Sequence, residues 1–170
     1  MRPNRPRLSL DKREPMSMLR HSVLVTVENA FETVVDAHLI EAITAGVLEA
    51  EGLAVAELGV LVTDDETILG LNREYAGEDA PTDVLAFSLQ EGEEFVSPDG
   101  VQRLGEVIIS YPTARRQAAH AGRAIEEEMA HLLVHGVLHL LGYVHTEPEQ
   151  EKRMRAREAA LLASAWPITR

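Results

Sequence analysis

The chain has 170 residues and carries 16 Lys/Arg against 28 Asp/Glu, a formal net charge of −12, with no Cys. That balance excludes a protein that grips nucleic acid by bulk electrostatics, because affinity for phosphates comes largely from cations. The absence of Cys excludes thiolate metal sites and disulfides, and no apolar run approaches the ~20 residues of a membrane span.

The charge is unevenly spread. Residues 1–20 carry six Lys/Arg and two Asp/Glu, and no further Lys or Arg occurs until Arg73. Residues 1–20 therefore read as a basic, disordered tail, and 21–170 as one domain with a sizeable core. Met16 and Met18 are alternative starts. The basic start is not followed by the apolar stretch of a secretory signal, which predicts a cytoplasmic protein with no membrane association.

Ser22–Val27 reads as a strand. Residues 33–51 hold apolar side chains at helical spacing, with Gly52 as the stop. Glu57–Thr63 reads as a second strand. Asp64 or Asp65 caps the next helix, whose buried face is Ile68, Leu69 and Leu71. A loop from Gly77 to Thr82 leads to a strand over Asp83–Leu89. An acidic turn over Glu91–Gly100 precedes a fourth strand, Leu104–Ser110. Pro112 suits the first turn of a helix ending near Ala121. A histidine-bearing helix follows over about Ala124–Leu141, then a last helix over Pro148–Ala165, rich in Glu and Arg. Strands come early and three helices end the chain. That order predicts an α+β domain with one mixed sheet of about four strands and helices packed on it.

The chemistry concentrates in His135-Gly-Val-Leu-His139-Leu-Leu-Gly142-Tyr-Val-His145. Histidines four apart lie on one helical face and reach one metal ion. Gly142 stops the helix, and the turn after it allows His145 to swing back. Three neutral nitrogens and an open position make a catalytic rather than a closed structural metal site. One Zn2+ per chain is the expectation, although three imidazoles also suit nickel or copper. The spacing matches the zinc-protease pattern H-E-x-x-H-x-x-G-x-x-H except that Gly136 stands where the protease has its basic glutamate.

Three stretches resemble signatures of the YbeY family of bacterial ribosomal RNA maturation factors. They are Leu71-Asn72 through Tyr75, Gly77, Asp79, Pro81-Thr82-Asp83-Val84-Leu85 and Phe87; Leu104-Gly105 with Val107-Ile108-Ile109-Ser110; and the histidine stretch itself. The resemblance spans roughly residues 20–165. It implies a zinc-metalloprotease-like fold and a single-strand-specific, metal-dependent endoribonuclease acting in small-subunit rRNA processing and ribosome quality control. It implies His135, His139 and His145 as the zinc ligands, single-stranded or ribosomal RNA as the substrate, and the ribosome or its small-subunit proteins as partners, with no DNA. The catalytic base stays unassigned. The alternatives are a non-catalytic, metal-stabilised ribosome-assembly factor and, against Gly136, a metallopeptidase.

The chain departs from that family at Ala76, where Arg is common, and at Val144, where Asp is common. Ala86, Ser88 and Glu106 also differ. Val144→Asp is expected to raise the rate, unless Glu106 or Glu128 supplies the carboxylate. His131, one turn before His135, reads as a supporting or packing residue, since about 12 Å separates it from His139 along the helix. Glu128 either hydrogen-bonds a histidine or caps the helix start. Tyr143 either donates to an oxyanion or packs. Thr82 and Asp83 either contact substrate or shape a turn, and Met154 lies below the metal or in the core. Lys152, Arg153, Arg155 and Arg157 either touch RNA or pair with Glu149, Glu151 and Glu158 on a solvated helix. Arg115 and Arg116 pose the same alternative.

Overall fold

The structure is a computed structural model that describes residues 21–79, 82–89 and 97–165. The expectations for the tail over 1–20, for Pro81 and for most of the acidic turn after Leu89 lie outside the described residues.

Four strands form one sheet among these residues: β1 (His21–Val27), β2 (Ala56–Thr63), β3 (Val84–Ser88) and β4 (Gln102–Ser110), in the order β1-β2-β4-β3. β1 and β2 are parallel, as are β2 and β4, whereas β3 runs antiparallel to β4. The sheet is therefore mixed, as expected for this α+β chain. Alternation decides its faces. Ala56, Leu58, Val60 and Val62 of β2 are buried, while the residues between them are more exposed or face the other side. In register with them lie Gly105, Val107 and Ile109 of β4.

The helices are α1 (Ala37–Ala50), α2 (Asp65–Leu71), α3 (Tyr111–Ala121), α4 (Ile125–Leu140) and α5 (Pro148–Ala165). α1 begins later than the apolar spacing suggests. Asp36 caps it by accepting from the backbone N–H groups of His38 (3.0 Å) and Leu39 (3.2 Å), which leaves Val34 and Val35 before the first turn. Asp64, not Asp65, caps α2, accepting from Thr67 N at 2.8 Å. Of the three apolar residues assigned to that helix's buried face, Ile68 alone is fully buried. α2 then widens into a π-helical turn over Asn72–Ala76, ended by Gly77.

Ile40, Ile43 and Val47 of α1 and Leu133, Val134 and Val137 of α4 join the inner sheet residues in one core. Each such side chain contributes about 1.5–3 kcal/mol on full burial. α5 closes the layer through Met154 and Leu161, both almost fully buried.

Two glycines set close approaches. A Cβ on Gly105, whose φ is 128°, would lie 1.9 Å from the Phe87 carbonyl oxygen, so only glycine fits where β3 meets β4. A Cβ on Gly136 would lie 2.6 Å from Val107 Cγ1 and 3.3 Å from Val84 Cγ2. α4 thus rests directly on β3 and β4 at this point, and the histidine row stands beside that contact.

Candidate metal centre

α4 carries His131, His135 and His139 one turn apart, and Gly142 (φ 92°) ends the run in a left-handed turn. The turn is closed by Tyr143 N donating to Leu138 O at 3.0 Å. It returns His145 to the helix, with ring centroids 5.9 Å from His135 and 5.0 Å from His139. One ligand atom from each of these three rings lies within 4.8 Å of the others. His135 and His139 are half-buried and His145 is exposed, so the group is open to solvent on one side.

Partners fix the tautomers of two rings. His139 Nδ1 donates to the Tyr143 carbonyl at 3.1 Å, and His135 Nδ1 donates to Glu158 Oε1. Both Nε2 atoms are then left as lone-pair donors, and they face each other at 3.0 Å. Two lone pairs so close repel, and a cation between them relieves the repulsion. Ligands at ~2.0–2.1 Å on a tetrahedral ion sit about 3.3 Å apart, close to this separation. Burial lowers the pKa of His139, and the neighbouring His135 and His145 lower it further. That shift favours the neutral form of the ring, the form able to ligate.

Glu158 of α5 is the residue that sequence reasoning missed, because its neighbours in the chain suggest a solvated, ion-paired helix. It is buried, and besides His135 it lies 3.6 Å from His131 Nε2 through its second oxygen. Burial alone would raise its pKa, but the His131 and His135 rings beside it outweigh that and hold it at about 2. A signal was present. Met154, Glu158 and Leu161 share one buried stripe of α5, and a lone carboxylate on an apolar stripe needs a partner. His131 supports Glu158 and is not one of the grouped ligand atoms, as expected.

Comparison with known proteins decides the family. The profile described as Endoribonuclease YbeY matches residues 21–165. The chain belongs to the YbeY endoribonuclease family. An Endoribonuclease YbeY of Pelotomaculum thermopropionicum is 50% identical over 117 residues, 68% of this chain and 77% of that one. One of Roseiflexus castenholzii is 45% identical over 143 residues, 82% of this chain and 90% of that one. Among solved structures, the solution structure of a Thermotoga maritima protein matches with a TM-score of 0.57 at 23% identity, over 86% of this chain and 89% of that one. That likeness shows the shared fold.

The remaining candidate residues fall into place around this YbeY centre. Met154 is buried and lines the cleft that also holds His131, His135, His145 and Glu158. Glu128 neither meets a histidine nor caps α4; it is buried and paired with Arg123 at 2.9 Å. Glu106 lies on the sheet face opposite α4, against Gly59, because its neighbour Val107 is the residue touching Gly136. Neither carboxylate hydrogen-bonds His135, His139 or His145, although the charge of Glu128 helps to raise the pKa of His131. The Tyr143 hydroxyl is engaged, donating to Glu51 Oε2 at 3.1 Å, and Glu51 also accepts from Arg157 Nε. Asp83 accepts from Gln117 of α3 at 3.2 Å, which ties the start of β3 to that helix, and the Thr82 hydroxyl donates to Val84 O at 3.4 Å, a local contact. The basic cluster on α5 divides: Arg155 pairs with Glu151 and Arg157 with Glu51. Arg116 pairs with Asp65 at 2.8 Å. Val144 is 45% exposed and lines a neighbouring cleft with Tyr143, Gln150 and Arg153. Among the described residues, no helix is long and apolar enough to cross a membrane.

Proposed function

We propose that His135, His139 and His145 hold one Zn2+ per chain, and that this YbeY protein uses it to hydrolyse phosphodiester bonds of single-stranded RNA in ribosomal RNA maturation. The single observation that carries the reading is the convergence of the His135 and His139 Nε2 lone pairs, with His145 beside them. When bound, such an ion supplies a Lewis acid for a phosphoryl oxygen and brings the pKa of a bound water toward ~7. The chain's own residues set the conditions. Glu158 and the Tyr143 carbonyl orient two rings through their Nδ1–H groups. Three neutral ligands leave the cation its full charge, so attraction of an anionic strand is local even though the chain as a whole is acidic. The family name carries the RNA substrate, and the ribosome or its small-subunit proteins are the partners this reading implies.

A metallopeptidase is disfavoured by packing as well as by sequence. The position that would need a glutamate is Gly136, whose Cβ direction is filled by Val107 and Val84. The test is to incubate metal-loaded protein with single-stranded RNA, double-stranded RNA and casein, beside His139→Ala. Cleavage of single-stranded RNA alone, lost in His139→Ala together with about one metal per chain, is the expected result. Equal metal content in the two proteins would remove the ligand assignment. Intact metal without RNA cleavage would favour an assembly factor in which the ion joins α4 to the turn before α5.

A further inference from the structure

The loop over Gly142–His145 separates two clefts that share α5 as a wall. One contains His135, His145 and Arg155, and the other is lined by Gly142, Tyr143, Val144, Gln150 and Arg153. Free cations are scarce in a chain with a net charge of −12. Among the described residues, Arg73, Arg103, Arg116, Arg123, Arg155 and Arg157 each have a carboxylate partner. Arg115, Lys152 and Arg153 pair with none of the described carboxylates, and all three are exposed. Two of these unspent cations are neighbours on the first turns of α5, and one of them faces the cleft beside the His145 loop.

We propose that Arg153, with Lys152 beside it, is a phosphate-binding site that guides single-stranded RNA past the His145 loop into the histidine cleft. The inference rests on the reading of the chain as an RNA-cleaving metalloenzyme. A guanidinium presents paired N–H donors that match phosphate oxygens, and here no carboxylate has to be displaced first. Val144, 45% exposed in the same cleft, offers an apolar wall to a sugar or base. Arg155, next but one along α5 and inside the histidine cleft, is held back by Glu151. The first contact therefore falls to Arg153.

The experiment compares wild type, Arg153→Glu and Arg115→Glu, each metal-loaded, in steady-state cleavage of a single-stranded RNA at several salt concentrations. Arg115→Glu makes the same charge change at an unpaired cation that lines neither cleft. Arg153→Glu should raise KM about tenfold, the scale of one charged hydrogen bond, with kcat nearly unchanged. Its log-log salt slope should flatten by about 0.7 for each phosphate that the variant no longer neutralises. Arg115→Glu should behave as wild type. An unchanged KM in Arg153→Glu, an equal rise in Arg115→Glu, or a loss confined to kcat would each overturn the proposal. If the wild type cuts no RNA, the underlying reading has failed. Fluorescence-anisotropy binding of a labelled single-stranded oligonucleotide to the same three proteins then decides the inference by the same pattern in Kd.

Discussion

Glu158 on α5 accepts the Nδ1–H of His135 on α4 from a buried position, so the second half of the candidate metal site comes from a helix that contributes no ligand. Glu158→Ala removes the acceptor, and Glu158→Gln keeps an acceptor oxygen without the charge. Metal affinity, read by competition with a chelator, should fall in the order wild type, Gln, Ala, with Ala lower by about 10–100-fold. Equal affinities in all three would mean that packing alone orients His135.

Gly136→Ala tests the contact that seats α4 on the sheet. Alanine is favoured over glycine in a helix by about 1 kcal/mol. Against that, the new methyl would lie 2.6 Å from a γ-carbon of the fully buried Val107, and overpacking of this kind costs roughly 1–3 kcal/mol. Net destabilisation is expected in urea unfolding. A more stable variant would show that Val107 can turn aside at no cost.

Asp65 joins α2 to the start of α3. It accepts from the hydroxyls of Ser110 and Thr113, each at 2.5 Å, and from Arg116 at 2.8 Å. Burial would raise its pKa, but these three partners outweigh it and hold the carboxyl below the usual aspartate value. The native state therefore binds fewer protons here than the unfolded chain. The contribution is fully present above the unfolded pKa of about 4 and is lost as pH falls through the lower folded value. The stability difference between wild type and Asp65→Asn should thus shrink as the pH is taken from neutral to below about 4, measured by urea midpoints. A difference that stays constant would assign the role of Asp65 to shape rather than charge.

Val144→Asp, read from the sequence, promises a gain in rate through a carboxylate beside the third histidine. The fold narrows that expectation. The Nδ1–H groups of His135 and His139 already have acceptors, and Val144 lines the cleft that holds Arg153. An acid there shares a cleft with that cation. The substitution should raise KM for RNA and leave kcat nearly unchanged, without the roughly 10²–10⁴ gain of an added general base. A tenfold rise in kcat at matched metal content would restore the catalytic role.

What the sequence determined by itself was whatever depends on near neighbours along the chain. Helical periodicity brought His135 and His139 onto one face, Gly142 marked where the helix had to stop, and caps and alternation located most elements to within a few residues. These signals are local because 3.6-residue and two-residue repeats are properties of the backbone. Where α1 starts depended on Asp36 capping over the weaker cue of apolar spacing. Tertiary structure decided the rest. Nothing local orders the strands β1-β2-β4-β3, sends Glu106 to the face away from α4, or frees Arg153 while tying Arg157 to Glu51. The Glu158–His135 contact spans 23 residues of chain, and it exists because the apolar stripe of Met154 and Leu161 docks α5 against the core. That docking carries a carboxylate to the His135 ring; the stripe on α5 shows that Glu158 needs a partner, and only the packing of the two helices shows which residue supplies it.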